Sequence, residues 1–152
     1  MKLAEGLIAR ADLQSKVAQL KNRMAQNVKV EEGEEPMEKI EELFQKYGSV
    51  MAELEMIIMR INRTNATVRL DNGTLADAIA KRDCLKLKIS TFRDLIEMAT
   101  VVRERSYRSD KIIYTRCIDT SKLRKKADDL AKEYRALDTK MQGLNWNVDL
   151  CD

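Results

Sequence analysis

At 152 residues the chain suits one domain, a size at which folding removes roughly 70% of the unfolded surface from water. Aromatics at 5%, charged residues at 35%, five glycines and one proline favour long helices over sandwiches or barrels, and 44% hydrophobic residues at regular spacing exclude disorder. A formal charge of +3 is too small to imply a nucleic-acid partner by itself, and the lack of any histidine removes the commonest general base.

Segment 2 to 27 carries Leu3, Leu7, Leu13, Val17, Leu20 and Met24 at helical spacing, with Arg10 intruding at the heptad phase of Leu3 and Val17. Asn27 and the stretch from Gly33 to Pro36 close this helix and open the next, Pro36 suiting a first helical turn. Segment 37 to 63 has the clearest pattern: Ile40, Leu43, Tyr47, Val50, Leu54, Ile57 and Ile61 alternate spacings of three and four. Phe44, Met51 and Ile58 add a further row seven residues apart, so the stripe is broad enough to face two neighbours in a bundle.

The corner INRTNATVRLDNGT, residues 61 to 74, follows. Its next seam positions are Thr64 and Asn65, where the apolar stripe stops and side-chain oxygens can satisfy helix-end groups. Asp71-Asn72-Gly73-Thr74 then turns the chain, with Thr74 and Asp77 as a capping-box variant. Segment 75 to 102 offers Leu75, Ala78, Leu85, Ile89, Phe92, Ile96 and Ala99, with Arg82 at a seam position. Segment 119 to 147 repeats the logic with Leu123, Ala127, Leu130, Tyr134, Leu137, Met141 and Leu144, and Asp119, Thr120 or Ser121 caps it.

Four segments of matched length predict an all-α fold: an antiparallel up-down four-helix bundle with long coiled-coil-like helices, as a single domain over residues 1 to 152. That topology places the 28 to 35 and 103 to 118 connections at one end, and 64 to 74 with both termini at the other. Val28-Val30, Val68-Leu70 and Ile112-Ile118 have β-branched or alternating character, and the first and last of these are expected to pair as a minor β-ribbon at the first of these ends. Charge is divided between connections. Residues 31 to 55 carry nine acids against Lys39 and Lys46, while residues 101 to 126 carry nine bases against Glu104, Asp110 and Asp119.

The stretches KLAEGLIARADLQSKVAQLKNRM, EEGEEP, INRTN, TLADAIAKRDCLKLKI and KEYRALDTKMQGLNW, taken together, resemble the septicolysin-named family of small bacterial helical proteins over nearly the whole chain. The resemblance implies the helical fold and brings no assigned chemistry. The family label implies a haemolysin, hence a membrane-active protein as a third functional expectation.

Two polar groupings stand out. Arg10 and Arg82 need carboxylates where the seam asks for apolar side chains, and antiparallel register offers Glu53 and Asp138. Beyond that layer Asn62, Arg63, Asn65, Arg69 and Asp71, with Asn145 and Trp146 returning from the last helix, form either a hydrogen-bonded corner plugged by Trp146 or a shallow ligand recess. No nucleophile elbow, phosphate-cradling glycine loop or zinc-binding helix motif is present, so no catalytic residue, cofactor or metal is expected.

Cys84, Cys117 and Cys151 are odd in number, widely spaced and without a Cys-x-x-Cys, which fits a reducing cytoplasm. The first residues lack the continuous apolar core of a secretory signal, so the three Asn-x-Thr triplets of the corner are not expected to carry glycans. A non-enzymatic protein acting by protein association, first as a homo-oligomer, is the expected function; Leu87, Leu95, Met98 and Val101 extend beyond one bundle core. The alternative is nucleic-acid binding through Arg103, Arg105, Arg108, Lys122, Arg124, Lys125 and Lys126.

Overall fold

A computed structural model describes residues 1 to 100 and 114 to 152, and these described residues are all-α apart from one minimal ribbon. In chain order it contains α1 (Leu3–Asn27), α2 (Ile40–Thr67), β1 (Arg69–Leu70), β2 (Gly73–Thr74), α3 (Leu75–Thr100) and α4 (Thr120–Asn147). Two compact units are distinguished: Met1–Ala76 with Gln142–Asp152, and Asp77–Met141. The boundary falls inside α3 and α4 rather than in a linker.

In the first unit α1 and α2 run antiparallel. Arg23 meets Glu38 at one end of the pair, and Gly6 lies beside Ile57 toward the other. The spacing of three and four explains the burial: Leu3, Leu13 and Leu20 on α1, with Leu43, Leu54, Ile57 and Ile61 on α2, leave water. Local polar groups set the ends. The Lys2 amide donates to Glu5 Oε2 at 2.7 Å, one half of a capping box. Buried Asn27 donates through Nδ2 to the Arg23 carbonyl at 2.9 Å and accepts the Glu38 amide on Oδ1 at 2.9 Å, tying the α1–α2 connection to the helix it leaves. Pro36 precedes α2 by several residues and takes no part in its first turn, which begins at Ile40 after Lys39 in extended backbone.

Hydrogen bonding by Arg23, helped by its charge and opposed by partial burial, holds the Glu38 carboxyl below the usual carboxylate range. A carboxylate with a depressed folded-state pKa adds stability above its unfolded value and loses it as pH falls through the folded one. Glu38→Gln is therefore expected to lower Tm at neutral pH, with the gap to the parent closing below about pH 4; a gap of constant size across a pH-resolved melting series would contradict this.

The ribbon forms at the corner itself. Arg69 pairs with Thr74 and Leu70 with Gly73, and Asp71 takes the left-handed φ of 51° that the two-residue turn demands. Val28 and Val30 are exposed and outside any strand, as are the described residues 114 to 118, while residues 112 and 113 lie outside the described range. The pairing expected between 28–30 and 112–118 is thus replaced by a hairpin, because the Asp-Asn-Gly turn closes its own two flanks with far less loop-closure entropy than a remote strand requires.

In the second unit α3 and α4 are antiparallel, since Lys81 reaches Glu133 at 2.7 Å while Ile96 and Thr100, farther along α3, share a groove with Arg124 and Ala127 near the start of α4. Leu85, Ile89 and Ile96 are buried on α3, and Ala127 and Ala131 on α4. Of the three residues the sequence offers as caps for α4, Asp119 serves: its Oδ1 accepts the amides of Ser121 at 3.0 Å and Lys122 at 3.1 Å. Gly143, inside α4, has nothing within 4 Å of where a Cβ would stand. Gly143→Ala is accordingly expected to raise the unfolding free energy by about 0.5–1 kcal/mol in chemical denaturation, a loss of stability being the contrary result.

Candidate functional site

The C-terminal end of α2 is where the polar corner, the first residues and the last residues of the chain meet. Val148 to Asp152 leave α4 and run antiparallel to the amino-terminal residues: the Leu3 amide donates to the Val148 carbonyl at 2.9 Å, and the Leu150 amide to the Met1 carbonyl at 2.9 Å. Lys2 Nζ closes the same bridge on Asp149 at 2.9 Å, and hydrogen bonding by that ammonium holds the Asp149 carboxyl below its usual range. Leu150 is buried over Gly6, where an added Cβ would stand 3.0 Å from Leu150 Cδ2. A side chain at that position would press on the Leu150 methyls and make them shift by a few tenths of an ångström, so glycine leaves the leucine its seat.

Thr64 is the hub. It has no exposed surface, donates its hydroxyl to the Arg60 carbonyl at 2.8 Å, and accepts the Cys151 amide on the same oxygen at 2.9 Å. The arginines of α2 grip the tail from outside. Arg60 Nε donates to the Cys151 carbonyl at 2.8 Å and Arg60 Nη2 to Asp152 Oδ1 at 3.0 Å, while Arg63 Nη1 donates to the Asp152 main-chain oxygen at 2.8 Å. Cys151 Sγ lies 3.8 Å from the Thr67 hydroxyl. Hydrogen bonding by Thr64, then by Thr67, holds this thiol below its ordinary range despite partial burial and the nearby Asp152 charge. Chemically the arrangement is a clasp: matched donors and acceptors that fix a segment, with one half-buried thiol among them.

Of the residues expected at the recess, Arg63 enters this clasp, Asn65 is half-buried, and Asn62 and Arg69 face solvent. Trp146 does not plug the end of the helices. It is 57% exposed, because the bulk needed at that place is supplied by Leu150, carried in by the tail. The polar layer divides. Arg82 places Nη1 at 3.7 Å from Asp138 and Nη2 at 2.9 Å from its neighbour Asp83. Arg10 has a buried Nε with no hydrogen-bond partner among the described residues, and Glu53 lies exposed. Glu53 directly precedes buried Leu54, and the helix rotation of about 100° between neighbours turns its carboxylate to the solvent side.

Lys122, Arg124, Lys125 and Lys126 are all exposed on the first turns of α4, and Arg103, Arg105, Arg108 and Val101 lie outside the described residues. Among the described residues no cluster of His, Cys, Asp or Glu is arranged to hold a metal ion. The sequence reading missed Arg60, Lys2, Gly6 and Leu150. The readable signal was a glycine one turn into α1 beside two seam leucines, and a lone leucine beyond the end of α4, a notch and a plug with no other use.

A crystal structure described as that of a functionally unknown conserved protein from Corynebacterium diphtheriae matches with a TM-score of 0.90 and 36% identity, over 99% of this chain and 98% of that one. No curated protein is a match. The septicolysin resemblance is not upheld, since the family that matches and the crystallised neighbour are both described only as functionally unknown. The membrane-active expectation rested on that label alone and goes with it; among the described residues no helix is long and apolar enough to cross a membrane. Residues 10 to 150 match the family of unknown function DUF6847, and the chain belongs to that family.

Proposed function

We propose that this is a non-enzymatic helical protein of the reducing cytoplasm that acts by association, in the first place with another copy of itself. The observation that carries the reading is apolar surface left outside the buried rows of both helix pairs: Phe44 is 58% exposed on α2, and Leu87 and Met98 are 68% and 74% exposed on α3. Met56 and Met59 on α2 and Leu95 on α3 are exposed as well, so apolar side chains recur along the outer faces of both helices, and partner helices can cover such faces. Three free thiols agree with a reducing compartment. Multi-angle light scattering over a concentration series tests it. A mass rising above the 17.5 kDa of one chain is expected, and a mass fixed at that value up to the highest concentration contradicts it.

A second reading is an electrostatic nucleic-acid contact at the start of α4, favoured by the solvent exposure of Lys122, Arg124, Lys125 and Lys126. Asp128 and Asp129 follow directly and weaken the local field. Electrophoretic retardation of mixed DNA and RNA that vanishes steeply with salt would favour this reading, and its absence at low salt would dispose of it.

A further inference from the structure

We infer that the self-association surface is the outward face of α2, and that two copies meet there antiparallel about Ala52; this rests on the association reading above. A groove of about 490 Å³ opens on that face, lined by Gly48, Met51, Ala52, Glu55 and Met59 among others. Gly48 would have nothing within 4 Å of a Cβ, so no other part of the described chain covers it. Glycine and alanine there let a second backbone approach closely, while Phe44, Met56 and Met59 stand exposed around them and supply bulk.

Charge selects the occupant and its direction. Glu41 and Arg63 stand at equal separations before and after Ala52 and on the same flank of α2. A two-fold axis at Ala52 sets Glu41 beside the partner's Arg63 twice over, and Phe44 within about one residue's rise of the partner's Met59. A parallel pairing would instead oppose Glu41 to Glu41 and Arg63 to Arg63. Arg63 is free to take part, since only Nη1 is engaged with the tail and the guanidinium carries further donors. From Glu41 to Arg63 the face runs roughly 33 Å and one helix width, roughly 400 Å² per copy, about half of a standard interface. The dimer is therefore weak and concentration-dependent.

The test uses the full chain with Cys84→Ser, Cys117→Ser and Cys151→Ser, to which either Ala52→Cys or, as a control on exposed α4 surface, Ala136→Cys is added. Under mild oxidation Ala52→Cys is expected to form disulfide-linked dimer several-fold faster than Ala136→Cys. Glu41→Arg is expected to remove that advantage, and Glu41→Arg combined with Arg63→Glu to restore it. If light scattering shows dimer while the two cysteines cross-link equally, the α2 register is overturned and self-association stands. If the mass stays that of one chain, both fall, and the face belongs to another protein or to none.

Discussion

Leu150→Ala is expected to lower the unfolding free energy by about 2–4 kcal/mol, roughly 5–15 °C in Tm for a chain of this length. The leucine is almost wholly buried, and its methyls sit against the bare backbone of Gly6, which has no side chain able to collapse into the space left behind. Its main chain is the rung that ties Met1 to the tail. The local consequence is more specific than the global one. With the plug removed, Val148 to Asp152 lose the contact that seats them on Thr64, so Cys151 alkylation should accelerate relative to Cys84, which is exposed already. Unchanged Cys151 labelling in a variant that melts early would mean that the clasp does not depend on Leu150.

Thr64→Val is the second large effect, with an expected loss of about 1–3 kcal/mol. Valine has the shape of threonine, so packing is kept and only the hydroxyl goes. The Arg60 carbonyl retains its place in the helix, but the Cys151 amide loses its acceptor inside a part-buried contact, and a desolvated donor without a partner carries the full penalty. Thr64→Ser supplies the contrast: it keeps the oxygen and drops one methyl, at a cost of about 0.8 kcal/mol. Denaturant titration of the pair separates the two contributions. Equal losses for valine and serine would show that the methyl, not the hydrogen bond, holds the tail.

The legibility of this chain in its sequence follows the physics of each element. Helices α1 to α4 were readable because the seam spacing extends over many turns, and a long periodic signal averages out exceptions such as Arg10. Thr64 was readable as the place where the apolar stripe changes to polar, though its role as acceptor for a residue 87 positions away was not. β-branched alternation marks Val28-Val30, Val68-Leu70 and Ile112-Ile118 alike, and the Asp-Asn-Gly turn at the corner is the local signal that selects the second of them. Trp146 is large and carries a polar handle, yet a side chain on α4 is confined to its helix face, whereas Leu150 on an extended tail can reach the notch at Gly6. Of the pairings the register allows, Arg82 meets Asp138, whereas Glu53 faces solvent, because register fixes height along a helix and not direction around it.

The two ends of α2 divide the work assigned to it. Its C-terminal turn is occupied by the clasp, and its outward face from Phe44 to Met59 is left bare. Sedimentation equilibrium of the native protein beside Phe44→Glu with Met59→Glu puts the association directly to measurement. The native chain should show a concentration-dependent rise above 17.5 kDa that the doubly substituted chain, folded to the same helix content, lacks; superimposable profiles at the mass of a single chain would contradict it.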